Sequence, residues 1–231
     1  MKWLNPIWAA SVWRHLHGFV LLYPALGIIT IFLGGVAAWG AFNWSLELTN
    51  TEKFCVSCHE MKTHIFSEYK KSSHYANRTG VRASCPDCHV PRDWGHKVVR
   101  KIAATNELFH WAAGSIRSDE DFKAKRMKLA QKVWAGTKAS DSRECRNCHR
   151  NDFMAGGKQT KKAKIMHDLA GPWNMTCIEC HQGITHSLPV EFDKEAVMDR
   201  LHDRMEKDKV NCRSCHENLA RPPAGDGWDK D

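Results

Sequence analysis

Outside five short motifs, the 231-residue chain has no cysteine. It has no acidic residue before Glu47, and no charge of either sign between Phe19 and Phe42. The first absence leaves no thiol for any separate structural or reactive role. The other two leave the amino-terminal stretch without the charge that a water-exposed segment carries. Protein between the motifs is scarce as well: all five fall between Cys55 and His216, about one per 30 to 40 residues, too little chain to bury an ordinary side-chain core.

The ten cysteines are Cys55, Cys58, Cys85, Cys88, Cys145, Cys148, Cys177, Cys180, Cys212 and Cys215, and a histidine follows each pair at once: His59, His89, His149, His181 and His216. Structural zinc uses such pairs two at a time, which strands a fifth pair and leaves the adjoining histidines unexplained. Disulfides ignore those histidines too. Cys-x-x-Cys-His is the attachment signal of a c-type haem, in which two thiols add to the haem vinyl groups and the adjoining histidine reaches the iron. Five covalently bound haem c groups are therefore expected, and they supply the missing core. The fold class expected is mainly α and haem-packed.

The formal charge of +8 suits nucleic acid or an acidic membrane surface at first sight. Two propionates per haem add about −10, however, so most lysines and arginines read as propionate partners and solvated surface. No nucleic-acid partner is expected.

The uncharged run from Phe19 to Phe42 is 24 residues long, against roughly 20 needed to cross a bilayer as a helix. Pro24 and the Gly34-Gly35 pair are tolerated in such helices. A cleaved signal has a hydrophobic region of only about 7 to 15 residues, so an uncleaved single-pass anchor is expected. Lys2 and Arg14 precede the run, and Glu47, Glu52 and Lys53 follow it, which keeps the amino terminus in the cytoplasm. All five motifs then lie in the periplasm of a bacterial inner-membrane protein. Trp3, Trp8, Trp13, Trp39 and Trp44 flank the span as an interfacial belt or as packing residues. The expected domains are a cytoplasmic terminus (1–18), a transmembrane helix (19–42), a multihaem domain (43–190) and an extension with a fifth haem (191–231).

The motif starts are spaced by 30, 60, 32 and 35 residues, which suggests a two-haem module occurring twice, at about 50–116 and 140–190, with the fifth motif appended. The stretch from Asp119 to Lys138 alternates apolar and charged residues and predicts a helix joining the modules. His15 and His17 lie on the cytoplasmic side. His74, His167 and His202 stand 11, 10 and 10 residues before Cys85, Cys177 and Cys212, as a repeated sixth ligand would. His186 follows His181 by five residues and is a fourth candidate, ahead of His64, His96 and His110. Four candidates serve five irons. The first motif is the odd one, because it alone is followed by a methionine, Met61, two residues past its histidine.

The blocks TNTEKFCVSCHEM, EYKKSSHYANRTGVRASCPDCHVPRDW, HKVVRKI, FKAKRMKLAQKVW, ECRNCH, KIMHDLA and TCIECHQGITHSLP, together with the single anchor, resemble the NapC/NirT family of membrane-anchored quinol dehydrogenases over about residues 15–190. The resemblance implies a tetrahaem periplasmic domain that oxidises menaquinol or ubiquinol from the membrane pool. The electrons would go to a periplasmic reductase for nitrate, nitrite or a similar acceptor in anaerobic respiration, and a homo-oligomer is compatible with it. It implies that Met61 is an axial ligand of the first haem, beside the quinol; His59 as that ligand, and Met61 as plain packing, stay open. It places the family's quinol-site lysine on Lys101 and its acid on Glu107, where several relatives have aspartate. On the residues alone, Lys101 and Glu107 read as a solvated charged face. Trp94, Val98, Val99, Ile102, Leu108, Phe109 and Trp111 alternate with Lys97, Arg100 and Lys101, the pattern of a helix in the headgroup layer. The fifth motif departs from the tetrahaem pattern. Two further functions stand beside the dehydrogenase: a docking and relay subunit without catalysis, and a quinone reductase fed by a periplasmic donor.

Overall fold

The computed structural model describes residues 10–15, 17, 18, 23–154 and 156–216. Lys2, Trp3, Trp8, Phe19–Leu22 and the tail after His216 lie outside them. The chain divides into two compact units, Met1–Cys55 and Val56–Asp231.

The first unit holds helix α1, Pro24–Leu48. Pro24 opens this helix rather than kinking it: at the first turn the missing N–H would have no intrahelical partner in any case. The helix continues past the uncharged run to Leu48, beyond the expected boundary at Phe42. At 25 residues it is about 37 Å long, enough to cross a hydrocarbon core of roughly 30 Å. Its polar side chains bond to its own backbone: Thr30 Oγ1 donates to the Leu26 carbonyl at 2.8 Å, and Asn43 Nδ2 to that of Trp39 at 2.8 Å. Apolar residues are exposed all round it, and only Gly27 and Leu46 are buried. A short helix α2, Glu52–Cys55, begins the first motif, with Thr51 Oγ1 accepting from the Phe54 N–H at 3.2 Å.

The second unit is mainly helical, with no strand among its described residues. A widened, five-residue π-turn at Met61–Ile65 runs straight into α3, Phe66–Tyr69. Then come α4 (Cys85–His89), α5 (Trp94–Ala112), α6 (Asp119–Ala139), α7 (Arg143–Arg146), α8 (Lys161–Ala170) and α9 (Lys194–Lys207). The expected connector is helix α6. It starts at a capping box in which Ser118 Oγ accepts from the Asp121 N–H at 3.2 Å and Asp121 Oδ2 from the Ser118 N–H at 3.2 Å. Asp93, Thr160 and Asp193 cap α5, α8 and α9 with a single bond each, accepting from the N–H three residues on.

Among the described residues of this unit, the buried large apolar side chains are only Tyr69, Phe122, Trp173 and Leu201. A chain of this length with an ordinary core buries far more. Its elements meet at the motifs instead: α4 packs against α7, and α6 against the turn at Cys177–Glu179, where Lys138 Nζ reaches Glu179 Oε1 at 2.5 Å.

The third, fourth and fifth motifs share one backbone form. The histidine N–H donates to the carbonyl of the first cysteine at 2.8 Å in the third (His149 to Cys145), and at 2.9 Å in the fourth (His181 to Cys177) and fifth (His216 to Cys212). The appended unit is thus a local copy of its predecessor. The first motif departs from this form, since His59 leads directly into the π-turn. Such turns are rare and concentrate at functional sites.

Candidate multihaem centre

Four of the five motif histidines face a second imidazole. Ring centroids are 6.4 Å apart for His89 and His186, 6.1 Å for His74 and His149, 6.2 Å for His167 and His181, and 6.2 Å for His202 and His216. A metal–nitrogen bond of about 2 Å puts a ring centroid roughly 3.1 Å from the metal, so two imidazoles on one metal stand about 6.3 Å apart. All four spacings fit a metal held between the rings, and each lies at a Cys-x-x-Cys pair whose thiols form no disulfide. The residues present therefore fit haem c.

Second contacts orient the rings. Nδ1 of His202 donates to the Met198 carbonyl at 3.0 Å, and Nδ1 of His167 meets Gln159 Oε1 at 2.8 Å. In both, the lone pair is left on Nε2, the nitrogen that a ligating histidine offers. Desolvation by the surrounding protein pushes His89 down to about 4, with the facing His186 adding to the effect, and lowers His74, His181 and His186 as well, although His89 and His181 keep exposed surface. A lowered pKa favours the neutral ring, which is the ligating form. Burial, with Cys145 nearby, pushes the Cys88 thiol up to about 11.

The recurrent spacing before the motifs holds for His167 and His202, each of which faces the histidine of the motif that follows it. It breaks at His74. That ring faces His149 in the other module, and His89 is faced by His186, which follows the fourth motif. The modules are thus interlocked rather than repeated side by side. His64 is engaged elsewhere, stacked on Phe122 at 4.6 Å and 8° with Nε2 3.0 Å from Asp119 Oδ1. His96 Nδ1 lies 2.5 Å from the capping Asp93.

Among the described residues, no second histidine ring stands opposite His59. Its surroundings are set by the π-turn: the Phe66 N–H donates to the Met61 carbonyl, and Lys62 N–H to that of Cys58 at 3.1 Å. Met61, half-buried, opens that turn.

On α5, Glu107 is held by cations. Arg100 Nη1 lies 3.2 Å from its Oε1 and Arg100 Nη2 donates to Oε2 at 3.3 Å, while Lys132 Nζ of α6 stands 4.0 Å from Oε1. Arg100 and Glu107, seven apart, share a helix face. Lys101, six residues before Glu107, is turned from it by about 120° and offset by about 9 Å along the axis. Arg100 and Lys132 are residues that the sequence reading did not assign to the site; the seven-residue interval was the available sign for Arg100. Both charges also bear on His89, which Arg100 pushes down and Glu107 up. Trp94, Val99, Ile102, Leu108, Phe109 and Trp111 are all exposed, and no α5 residue is buried.

The family model described as "NapC/NirT cytochrome c family, N-terminal region" matches residues 21–191. The chain is 52% identical over 174 residues to the denitrification system component NirT of Stutzerimonas stutzeri, covering 75% of this chain and 87% of the relative. It is 48% identical over 172 residues to the cytochrome c-type protein NapC of Paracoccus pantotrophus, 72% of each chain. A putative tetraheme cytochrome of Allochromatium vinosum is 46% identical over 180 residues, covering 78% of this chain and 97% of that one. No solved structure matches. With its apolar amino-terminal helix and its ordered series of Cys-x-x-Cys-His motifs, the chain belongs to the NapC/NirT cytochrome c family and is a membrane-anchored, multihaem electron-transfer protein.

Proposed function

We propose that this protein is a quinol dehydrogenase. It oxidises menaquinol or ubiquinol and passes the electrons through five c-type haems, on the periplasmic side of the bacterial inner membrane, to a periplasmic reductase. The observation that carries this reading is the asymmetry among the motifs: four histidines face a second imidazole, and His59, followed by Met61 in a widened turn, faces none among the described residues. A relay needs saturated metals throughout, whereas an entry point needs one that is not.

Four of the haem irons would be held by His89 with His186, His149 with His74, His181 with His167, and His216 with His202. At the first motif Met61 would be the ligand, with His59 as its alternative. Bound haem supplies one-electron transfer without a proton. Quinol gives up two electrons and two protons, so the chain must provide for the protons. Glu107 accepts the two protons in turn, releasing the first to water before it takes the second, with its carboxylate oriented by Arg100 and Lys132. Lys101 donates a hydrogen bond to the quinol oxygen. The exposed apolar side chains of α5 suit a lipid-facing approach to the quinol pool. The Stutzerimonas relative is named as a denitrification component, which favours a reductase of nitrogen oxyanions as acceptor.

The test is rapid-mixing reduction by a soluble quinol of the purified, detergent-solubilised protein. Lys101→Ala and Glu107→Gln are expected to slow quinol reduction on the order of a hundredfold, with haem content and reduction by dithionite unchanged. Wild-type rates in both variants would sink the assignment.

A further inference from the structure

His186 has little local structure to hold it. It lies in the irregular segment between the fourth motif and α9, with Gly183 folded under the side chain of Leu188. A side chain at 183 would stand 2.9 Å from Leu188 Cγ, so this loop closes tightly on itself, but that closure does not aim a ring at a motif in the other module.

The aim comes from the next residue. Ser187 N–H donates to Glu68 Oε2 at 3.0 Å, and the Ser187 carbonyl accepts from Arg126 Nη2 at 2.7 Å. The same Arg126 Nη2 lies 2.7 Å from the same Glu68 Oε2. An acid on α3 and a base on α6 thus close a ring of three contacts around one peptide residue and take up both of its main-chain groups. Both side chains are only 18% exposed, so water competes weakly for the Glu68–Arg126 pair, while its two bonds to Ser187 lie nearer solvent. Arg126 is itself stacked 5.6 Å over the buried Phe122, which lies against His64 of the π-turn. The clasp is therefore anchored on the element that carries Met61.

We propose that the Glu68–Arg126 pair is a positioning device for His186: by gripping Ser187 it sets the His186 ring opposite His89 and so determines the sixth ligand of the second haem. This inference rests on the His89–His186 axial pair proposed above. A salt bridge serving only general stability would melt the fold evenly when broken. A positioning device releases one ligand and leaves the rest in place.

The experiment uses the full-length, haem-loaded protein in detergent, read by low-temperature electron paramagnetic resonance and by near-infrared magnetic circular dichroism of the ferric state. In Glu68→Ala and Arg126→Met, one of the low-spin bis-imidazole signals is expected to be lost, with the haem count unchanged and the signal restored by added imidazole. Restoration separates a displaced ligand from general unfolding. If Arg126→Met is not recovered, Glu68→Gln serves in its place: it keeps one acceptor for the Ser187 N–H but no charge for Arg126, and a partial loss of the same signal is expected. Spectra like wild type in all recovered variants, or a loss that imidazole does not restore, would overturn the proposal. His186→Ala is the control for the pair itself. Its spectrum must lose the same signal, and an unchanged spectrum there would remove the axial assignment rather than the clasp.

Discussion

The ring of His74 stands 6.1 Å from that of His149 at 69°, although the motif nearest to it in sequence is Cys85–His89. One module supplies a ring to the other, and His186 returns the exchange toward His89. His74→Ala is expected to abolish the low-spin signal of the haem on Cys145 and Cys148 while leaving the haem on Cys85 and Cys88 six-coordinate. Magnetic resonance of singly perturbed variants, compared with His186→Ala, checks the pairing: the two variants must remove different signals.

At the proposed quinol site, Arg100 orients Glu107 through two contacts. Arg100→Gln is expected to slow reduction by quinol roughly tenfold, equivalent to about 1.4 kcal/mol in the barrier, which is less than the loss of the acid itself. Quinol-dependent stopped-flow traces, with dithionite reduction as reference, measure it.

Ser142 is fully buried, sits in the left-handed region at φ 50°, and its Oγ accepts from the Ile178 N–H at 3.2 Å, which ties the third motif to the fourth. Ser142→Ala leaves that N–H without its acceptor and is expected to cost about 1–3 kcal/mol. Ser142→Gly loses the same bond but relieves the backbone, so it should melt above the alanine variant. Thermal melts of the two variants, followed by Soret absorption, give the order.

The extension is held through Trp173, whose Nε1 donates to Asp208 Oδ2 at 2.6 Å and whose ring lies 5.0 Å under Arg204. Trp173→Phe removes the donor and is expected to weaken docking by about 1–3 kcal/mol. The readout is faster proteolysis between Lys194 and Val210 with the four preceding sites spectrally unchanged. Truncation after Pro189 should leave a four-haem mass that still accepts electrons from quinol.

Much of this architecture could be read from the chain. The cofactor was visible because Cys-x-x-Cys-His is a local chemical signal, and α6 because its periodicity lies within one segment. His167 and His202 were readable for the same reason, as ring and motif lie a few residues apart on a repeated turn. The exchange between His74 and His186 could not be read, since it depends on how α4 packs on α7 and on a clasp joining α3, α6 and Ser187. Spacing records neighbours along the chain, not partners across it. The π-turn at Met61 was equally hidden: MKTHI has ordinary helical residues, and nothing in its composition announces one extra residue per turn. Arg100 was passed over in favour of Lys101 because adjacent cations look alike until a helix separates their faces.

The crossed histidines also bear on biogenesis. On the proposed topology, a chain delivered to the periplasm from the anchor onward presents the second motif long before His186, and His74 long before the third motif. On the ligand pairs proposed above, the second centre alone cannot complete itself from the segment already delivered. Its haem would be ligated to Cys85 and Cys88 first and wait, open on one side, until His186 arrives, whereas the third, fourth and fifth centres close on histidines already in place. Attachment follows the order of the sequence, but closure does not.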